Sequence, residues 1–262
     1  MAVVDTHAHL NHPQFAEDLP DVLQRAQAAQ VRAIVVVGYD VSTSERAVRL
    51  AHEHPSLWAS VGIHPLDAAT APPEDFDRIA GLAEDDRVVA IGETGLDLYR
   101  GANSYKPQVE LFRRHYELAA RVEKPLIVHN RAATRPCVDL LEEWGLGAVR
   151  AVLHCFDGHA HLARRAAALG CFIGLDGPVT FPPRHSDSGE PTLWGVARAT
   201  PPDALLLETD CPWLAPVPHR GRRNEPAHLV YIAARIAELR GVEVAEVTAA
   251  TTANARRVFG IG

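Results

Sequence analysis

Residues 88–93 read VVAIGE, a run of four apolar residues that ends in a glycine and a carboxylate. Consecutive apolar positions rich in Val and Ile are typical of a strand that is buried on both faces of a parallel sheet. Further short apolar runs recur along the chain. Together the eight runs are residues 3–5, 33–37, 58–61, 88–91, 126–128, 151–153, 172–175 and 204–207. They predict eight strands of one mainly parallel sheet.

Helical patterns lie between these runs. In residues 108–124, Leu111, His115, Leu118 and Val122 recur at three- and four-residue steps, which is the spacing of a helix with one buried face. Further helices are predicted at 19–30, 42–54, 75–84, 134–144, 159–169, 226–240 and 243–259. The polar, proline-rich residues 182–191 (PPRHSDSGEP) predict a long loop after the seventh strand.

Eight strands that alternate with helices imply right-handed crossovers and either a closed barrel or a doubly wound sheet. A closed eight-stranded barrel matches both the strand count and the length of 262 residues. No glycine- or serine-rich linker divides the chain. We therefore predict an α/β fold, a TIM (β/α)8 barrel, in which residues 1–262 form a single domain.

The composition excludes several classes of protein. Apolar residues make up 47% and charged residues 23% of the chain, values that exclude global disorder. No apolar run approaches the roughly 20 residues that a membrane span needs, and the first residues lack the basic segment of a secretory signal. Four cysteines without a CxxC pair do not make a disulfide framework. We therefore expect a cytoplasmic protein without a membrane partner.

The net charge of the chain limits how this protein can bind nucleic acid. With 26 basic and 33 acidic residues the net charge is −7, which argues against a broad basic surface for duplex DNA but not against one small cleft. The chain also contains 14 histidines. This number prompts a search for metal ligands.

Polar residues follow the predicted strands at positions where a core would reject them. The segments are 5–9 (DTHAH), 62–65 (GIHP), 92–97 (GETGLD), 129–131 (HNR), 154–156 (HCF) and 208–210 (ETD). In barrels of this kind the chemistry takes place at the carboxyl ends of the strands. Because these ends meet on one face, we expect the polar side chains to lie together there.

His7 and His9 are two residues apart in an extended segment, so both imidazoles point to one face, about 6.5 Å apart along the strand. That spacing suits two ligands of one metal ion, and a pair of surface histidines is the alternative. Glu93 follows a buried strand, where a carboxylate must be paired or bind a cation. Its two oxygens can bridge two metal ions, and a salt bridge to Arg131 is the alternative.

His129 and His154 each follow an apolar strand. One such histidine is more often a core residue, but two on adjacent strands favour metal binding. Asp210 follows the eighth strand and can both bind a metal and take a proton from water, with a helix N-cap as the alternative. Imidazole and carboxylate ligands suit Zn²⁺, Mn²⁺ or Fe²⁺ and do not exclude Mg²⁺.

Glu208 shares a strand face with Asp210, so we expect it to support the ligands rather than bind metal. Cysteine chemistry is the competing idea, because Cys155 follows His154 and Cys211 follows Asp210. Neighbours along a strand point to opposite faces. We therefore expect both thiols to face the surrounding helices.

Residues 219–224 (HRGRRN) form the only dense basic cluster of the sequence. In a loop at the active face, Arg222 and Arg223 would contact phosphate, and a solvated loop is the alternative. Arg131, beside His129, is a second candidate for holding an anion. We expect His64 to hydrogen-bond a phosphate or a leaving group.

In chain order the sequence contains DTHAHL (5–10), GIHP (62–65), IGETGLD (91–97), VHNR (128–131), HCF (154–156), LLLETDCPWLAP (205–216), RGRRNEP (220–226) and TTANARRVF (251–259). Over residues 3–259 this set resembles the TatD family of metal-dependent deoxyribonucleases in the amidohydrolase superfamily. The resemblance implies a TIM barrel with a divalent-metal site. It also implies six metal ligands, the same six residues as above: His7, His9, Glu93, His129, His154 and Asp210.

The resemblance implies a nuclease that hydrolyses phosphodiester bonds of DNA, at single strands or strand ends, with two divalent ions (Mg²⁺, Mn²⁺ or Zn²⁺). We expect Glu93 to bridge the ions and Asp210 to receive the proton of the attacking water. Three departures from the family pattern lie where substrate would sit: Ala132-Ala133 in place of an acid, Asp176 in place of Ser, and the proline-rich loop. A hydrolase of small esters, lactones or amides therefore stays an alternative. So does an inactive metal-binding interaction protein.

Overall fold

The computed structural model describes residues 2–147, 149–183 and 192–261. Its strands form one sheet in the order β1-β2-β3-β4-β5-β6-β7-β8, and every neighbouring pair in that order is parallel. The strands are β1 (Val3–Ala8), β2 (Val31–Val37), β3 (Leu57–Val61), β4 (Val88–Gly95), β5 (Leu126–His129), β6 (Ala151–Leu153), β7 (Phe172–Leu175) and β8 (Leu205–Leu207). The predicted α/β barrel is confirmed. That it acts as one domain stays a prediction.

Hydrogen bonds between β1 and the end of β8 bring the two edges of the sheet together. The Asp210 amide donates to His7 O (2.9 Å), and the His9 amide donates to Cys211 O (2.8 Å). Deeper in the barrel, the Thr6 hydroxyl donates to Leu207 O (3.0 Å). The carboxyl ends of all eight strands therefore surround one opening.

Helices alternate with the strands. Those among the described residues are α1 (Leu19–Ala28), α2 (Val41–Glu53), α3 (Pro73–Leu82), α4 (Tyr105–Arg121), α5 (Thr134–Trp144), α6 (Ala160–Ala168), α7 (Thr192–Ala199), α8 (Leu229–Arg240) and α9 (Val244–Phe259). The sequence did not predict α7, because this helix has only two turns and contains Gly195, which weakens the helical signal. Residues 184–191 of the predicted long loop lie outside the described residues.

β1 and β4 extend at their carboxyl ends by three and four residues beyond their apolar runs. β1 continues to Ala8 and β4 continues to Gly95, because the polar residues at these ends still pair with the neighbouring strand. Gly95, for example, is in register with His129. His7 and Glu93 therefore lie on strands rather than on loops, and the sheet fixes their positions.

Each strand contributes to two apolar cores. Alternate residues such as Val35, Ile127 and Leu206 fill the barrel interior together with Phe259 of α9. The residues between them belong to the core shared with the surrounding helices. Burial on both faces explains why the strands are continuously apolar. Since α9 packs under the interior, it covers the amino end of the barrel and leaves the carboxyl end open.

His115 of α4 is fully buried, and both of its ring nitrogens are hydrogen-bonded. Nδ1 donates to Leu111 O (2.8 Å), and the Ile63 amide donates to Nε2 (3.1 Å). Burial lowers the pKa of this imidazole from 6.5 to about 4. His115 is thus a neutral core residue that ties α4 to the segment after β3.

This burial predicts a pH dependence of stability. The unfolded chain takes up a proton at His115 near pH 6.5, but the folded chain does so only near pH 4. The stabilisation is therefore complete above pH 6.5, and about 3 kcal/mol of it is lost as the pH falls to 4. Urea unfolding of His115→Gln should show a correspondingly smaller loss over this range. The exposed His161 supplies the control: His161→Gln should follow the wild type, and equal pH dependence in both variants would contradict the prediction.

Within the described part of the chain, no helix is both long enough and apolar enough to cross a lipid bilayer.

Candidate metal centre

The structure brings the six predicted ligands together at the carboxyl end of the barrel. They come from five parts of the sheet: His7 and His9 from β1 and the residue after its end, Glu93 from β4, His129 from β5, and the last two from the segments after β6 and β8. These last two are His154 and Asp210. The side chains are buried or nearly so, with 14% of His129 and 13% of Asp210 exposed.

Four donor atoms form a first set. They are His7 Nε2, His9 Nε2, Glu93 Oε2 and Asp210 Oδ1. The two imidazole nitrogens are 3.1 Å apart, and Asp210 Oδ1 lies 3.3 Å from His9 Nε2 and 3.7 Å from His7 Nε2. Glu93 Oε2 lies 3.6 Å from His7 Nε2 and 3.7 Å from His9 Nε2. All four atoms therefore converge on one small volume.

The other oxygen of Glu93 belongs to a second set. Oε1 lies 2.6 Å from His129 Nδ1 and 2.8 Å from His154 Nε2. His64 Nε2 is 3.8 Å from the same oxygen. Glu93 thus stands between the two sets, with one oxygen directed toward each. The sequence-based alternative, a salt bridge between Glu93 and Arg131, is not formed.

Hydrogen bonds on the far side of two rings fix which nitrogen faces the centre. His9 Nδ1 donates to Val37 O (2.9 Å), and His129 Nε2 donates to Asp97 Oδ2 (3.3 Å). In the neutral ring the other nitrogen then carries a lone pair. These contacts leave His9 Nε2 and His129 Nδ1 as acceptors that point into the donor sets, as metal-binding histidines require.

The donor chemistry fits a divalent cation. Burial opposes the ionisation of Glu93 and Asp210, but His154 and His9 hold the pKa values of these carboxyl groups below the ordinary range. Burial lowers the pKa of His7 to about 4, so this ring is neutral. Two buried negative charges and several nitrogen lone pairs therefore face each other, an arrangement that a cation stabilises.

The carboxylates around His129 also favour a positive charge at this site. Burial disfavours its protonated ring, yet Asp97 and Glu93 raise its pKa to about 9. Asp97, fully buried four residues after Glu93, was not among the predicted site residues. The signal that could have identified it is its place in the polar segment 92–97, which follows the apolar run of β4. It acts by orienting His129.

Glu208 lies next to the ring nitrogen of His154 that does not contact Glu93. Its Oε1 accepts a hydrogen bond from the Cys155 amide and is 3.8 Å from His154 Nδ1. A Cβ at Gly174 of β7 would stand 2.3 Å from Glu208 Oε2. Glycine is therefore required at this position to make room for the carboxylate.

Asp5 joins the strand that carries His7 to the segment that carries Asp210. Its Oδ1 accepts from the Thr209 amide (3.0 Å), and its Oδ2 accepts from the Thr209 hydroxyl (2.6 Å). Asp210 itself has a left-handed backbone with a φ of 53°, a conformation that Asp tolerates better than most residues. The turn at Asp210 therefore directs its carboxylate into the first set, and the N-cap alternative does not apply.

Cys155 departs from the expectation that its thiol faces the helices. Its backbone is left-handed, with a φ of 43°, which breaks the alternation of a strand. The thiol instead contacts Asp176, and burial together with the carboxylates of Asp176 and Asp210 raises its pKa well above the ordinary value. It is a neutral thiol and a poor nucleophile. Burial also raises the pKa of Cys211 well above its ordinary value.

The predicted anion-binding residues differ in whether their side chains are available to a ligand. His64 contacts the second set, and Arg131 lies exposed with its Cζ 4.5 Å from the centroid of the Tyr99 ring. Arg223 donates to both oxygens of Asp18 (2.9 and 2.6 Å) and to Gln14 O (2.6 Å). Its donors are therefore occupied within the protein. Arg222 is exposed, and its side chain has no polar partner among the described residues.

Comparison with known proteins identifies the family of this chain. The family model described as TatD related DNase matches residues 4–260. YabD of Bacillus subtilis, an uncharacterized metal-dependent hydrolase, is 43% identical over 98% of both chains. The 3'-5' ssDNA/RNA exonuclease TatD of Salmonella typhimurium is 36% identical over 98% of both chains.

A solved structure extends the similarity to three dimensions. The crystal structure of YjjV, a TatD homologue from Escherichia coli K12, superimposes with a TM-score of 0.91 at 30% identity and covers 99% of this chain and 98% of that chain. The chain therefore belongs to the TatD-related DNase family and is a metal-dependent hydrolase.

Proposed function

We propose that this protein is a nuclease that hydrolyses phosphodiester bonds of DNA from the ends of single strands. The observation that supports this most is the placement of Glu93, whose two oxygens each face a separate set of nitrogen and carboxylate donors. Two metal ions held in this way suit in-line displacement at phosphorus. The exonuclease relative at 36% identity supports the same reaction.

In this proposal His7, His9 and Asp210 would hold one ion, His129 and His154 would hold the other, and Glu93, with one oxygen facing each donor set, would contribute to both. Divalent ions supply Lewis-acid polarisation of a phosphoryl oxygen and lower the pKa of water. The number and identity of the ions, Mg²⁺, Mn²⁺ or Zn²⁺, belong to the proposal.

Asp210 is the proposed general base. Only its Oδ1 contacts the described imidazoles, so Oδ2 is left to receive a proton. Glu93 is less suited, because both of its oxygens contact histidines. His64, which contacts the second donor set, and the exposed guanidinium of Arg131 would stabilise negative charge on the non-bridging oxygens of the phosphate.

The test is turnover by the metal-reconstituted enzyme. A single-stranded oligonucleotide labelled at one end, a covalently closed duplex circle, a simple ester and a lactone are compared at equal enzyme concentration. We expect progressive shortening of the single strand and little attack on the closed circle. Faster hydrolysis of the ester or lactone, with no cleavage of the oligonucleotide, would assign the protein to the small-molecule hydrolases instead.

Replacement of Arg222 and replacement of Arg223 should have different effects, one on substrate binding and the other on stability. Arg223→Ala removes an ion pair with Asp18 that is partly exposed, with 29% and 33% of the two side chains accessible, so we expect a loss of about 1 kcal/mol in the free energy of unfolding. Arg222→Ala should change stability by less than about 0.5 kcal/mol but raise KM for an oligonucleotide by about 3- to 10-fold. Urea unfolding and steady-state kinetics measure the two effects. The reverse pattern would show that Arg223, not Arg222, contacts the strand.

A further inference from the structure

Two aromatic side chains are exposed beside the metal centre. Tyr99 is 69% exposed and Trp213 is 43% exposed. Tyr99 follows β4, which supplies Glu93, and Trp213 lies three residues after Asp210. Single exposed apolar residues need no explanation. These two differ because each is held against a residue that belongs to, or adjoins, one donor set.

Trp213 flanks the first donor set. The centroid of its ring is 5.0 Å from that of His9 and 5.4 Å from that of His12, both at steep angles of 66° and 68°. Its amide donates to Asp210 O (3.0 Å). The ring is therefore fixed by its edge contacts and by a tight turn, and part of its surface faces solvent.

Tyr99 flanks the second donor set. Arg131, which lies two residues after His129, places its Cζ 4.5 Å from the centroid of the Tyr99 ring. The Leu98 amide donates to Arg131 O (3.0 Å) and joins the two loops. Within the described residues the Arg131 guanidinium has no carboxylate partner. Its charge and its flat surface are thus both available to a ligand.

Flat aromatic and guanidinium surfaces on either side of a phosphate-binding centre match the chemistry of a nucleic acid strand. Bases stack on such surfaces without regard to sequence, and a base can do so only when it is unpaired. A small phosphodiester without bases makes no use of them. The apolar faces lie outside the donor sets, so metal binding does not account for their exposure.

We infer that Trp213 and the Tyr99–Arg131 pair are nucleobase platforms, one on each side of the scissile phosphate. This inference rests on the proposed nuclease function and adds to it the residues that select unpaired bases. Trp213 receives the base next to the first donor set, and Tyr99 with Arg131 receives the base next to the second. A paired duplex presents neither base to these surfaces.

The experiment compares substrates within each variant. Two single-stranded oligodeoxynucleotides of equal length are used, one intact and one with abasic residues on both sides of the cleaved bond. The ratio of kcat/KM between them measures the contribution of the bases. Because both substrates use the same metal centre, damage to His9 or to its neighbours cancels in the ratio.

We expect the wild type to prefer the intact strand by about ten-fold or more. The ratio should fall by about three-fold in Trp213→Ala and in Trp213→Leu, which keeps apolar bulk but no π surface, because the second platform remains. It should be largely retained in Trp213→Phe. The ratio should likewise fall in Tyr99→Ala and be largely retained in Tyr99→Phe. Trp58, which packs under Arg87 at the amino end of β3 with 3.9 Å between Cζ and centroid, provides the matched control: Trp58→Leu should retain the wild-type ratio.

A second readout is binding. In an Asp210→Asn background the intact strand should quench tryptophan fluorescence more strongly than the abasic strand, and Trp213→Phe should remove most of the difference. If the wild type and Trp213→Ala cleave both strands with the same ratio of kcat/KM between intact and abasic substrate, the inference is overturned but the proposed nuclease function stands. Failure of the wild type to cleave either strand would overturn the proposed nuclease function and the inference with it.

Discussion

Glu93→Ala is expected to remove bound metal and to lower kcat/KM for any phosphodiester by about 10³-fold or more. Among the described residues, no other carboxylate directs one oxygen toward each donor set: Oε1 of Glu93 is 2.6 Å from His129 Nδ1, and Oε2 is 3.6 Å from His7 Nε2. Without it, one carboxylate must offset the charge of whatever cation the histidines hold. Elemental analysis of the purified protein, with and without dialysis against a chelator, measures the metal content directly.

A matched variant separates this effect from general damage to the buried acids. Asp176 is also a buried carboxyl group at the active face, and burial together with Asp210 raises its pKa to about 7. It belongs to neither donor set, so Asp176→Asn should retain the wild-type metal content. Wild-type stoichiometry in Glu93→Ala would instead remove the bridging role from the proposal. Chelation should abolish turnover of the wild type, and restored metal should restore it.

The barrel could be predicted because its signal is local. Each strand is buried on both faces and therefore reads as an unbroken apolar run, as in residues 88–91. The donor residues could be predicted for a related reason: a charged or imidazole side chain directly after such a run has no place in a core. In a barrel, all such positions meet at one opening. His7 and Glu93, far apart in sequence, come within 3.6 Å of each other in this way.

The features that escaped prediction depend on contacts that no local pattern records. Arg223 donates hydrogen bonds to Asp18, 205 residues earlier in the chain. Because such a distant contact leaves no local signal, the sequence does not distinguish Arg223 from Arg222. The direction of the Cys155 thiol follows from the left-handed backbone of Cys155 itself, two residues after β6. The role of Asp97 depends on the angle at which His129 presents its second nitrogen. Each is a property of the assembled opening rather than of one strand.

Asp210→Asn is expected to lower kcat by about 10²- to 10⁴-fold, the usual contribution of a general base. Asparagine keeps the shape of the side chain and one oxygen that can face His9, so metal binding should largely persist. What it lacks is the capacity to accept a proton. The left-handed backbone at this position is tolerated by Asn as well as by Asp, so the turn after β8 should be preserved.

The decisive measurement is kcat at fixed metal occupancy, on both an oligonucleotide and a small phosphodiester such as bis-p-nitrophenyl phosphate. A fall of similar size on the two substrates is expected, because proton transfer does not depend on the bases. Thermal unfolding should show a midpoint close to that of the wild type. If kcat is unchanged with full metal content, the base lies elsewhere. If kcat and metal content fall together, Asp210 acts as a ligand of the first donor set, and its role as proton acceptor is withdrawn.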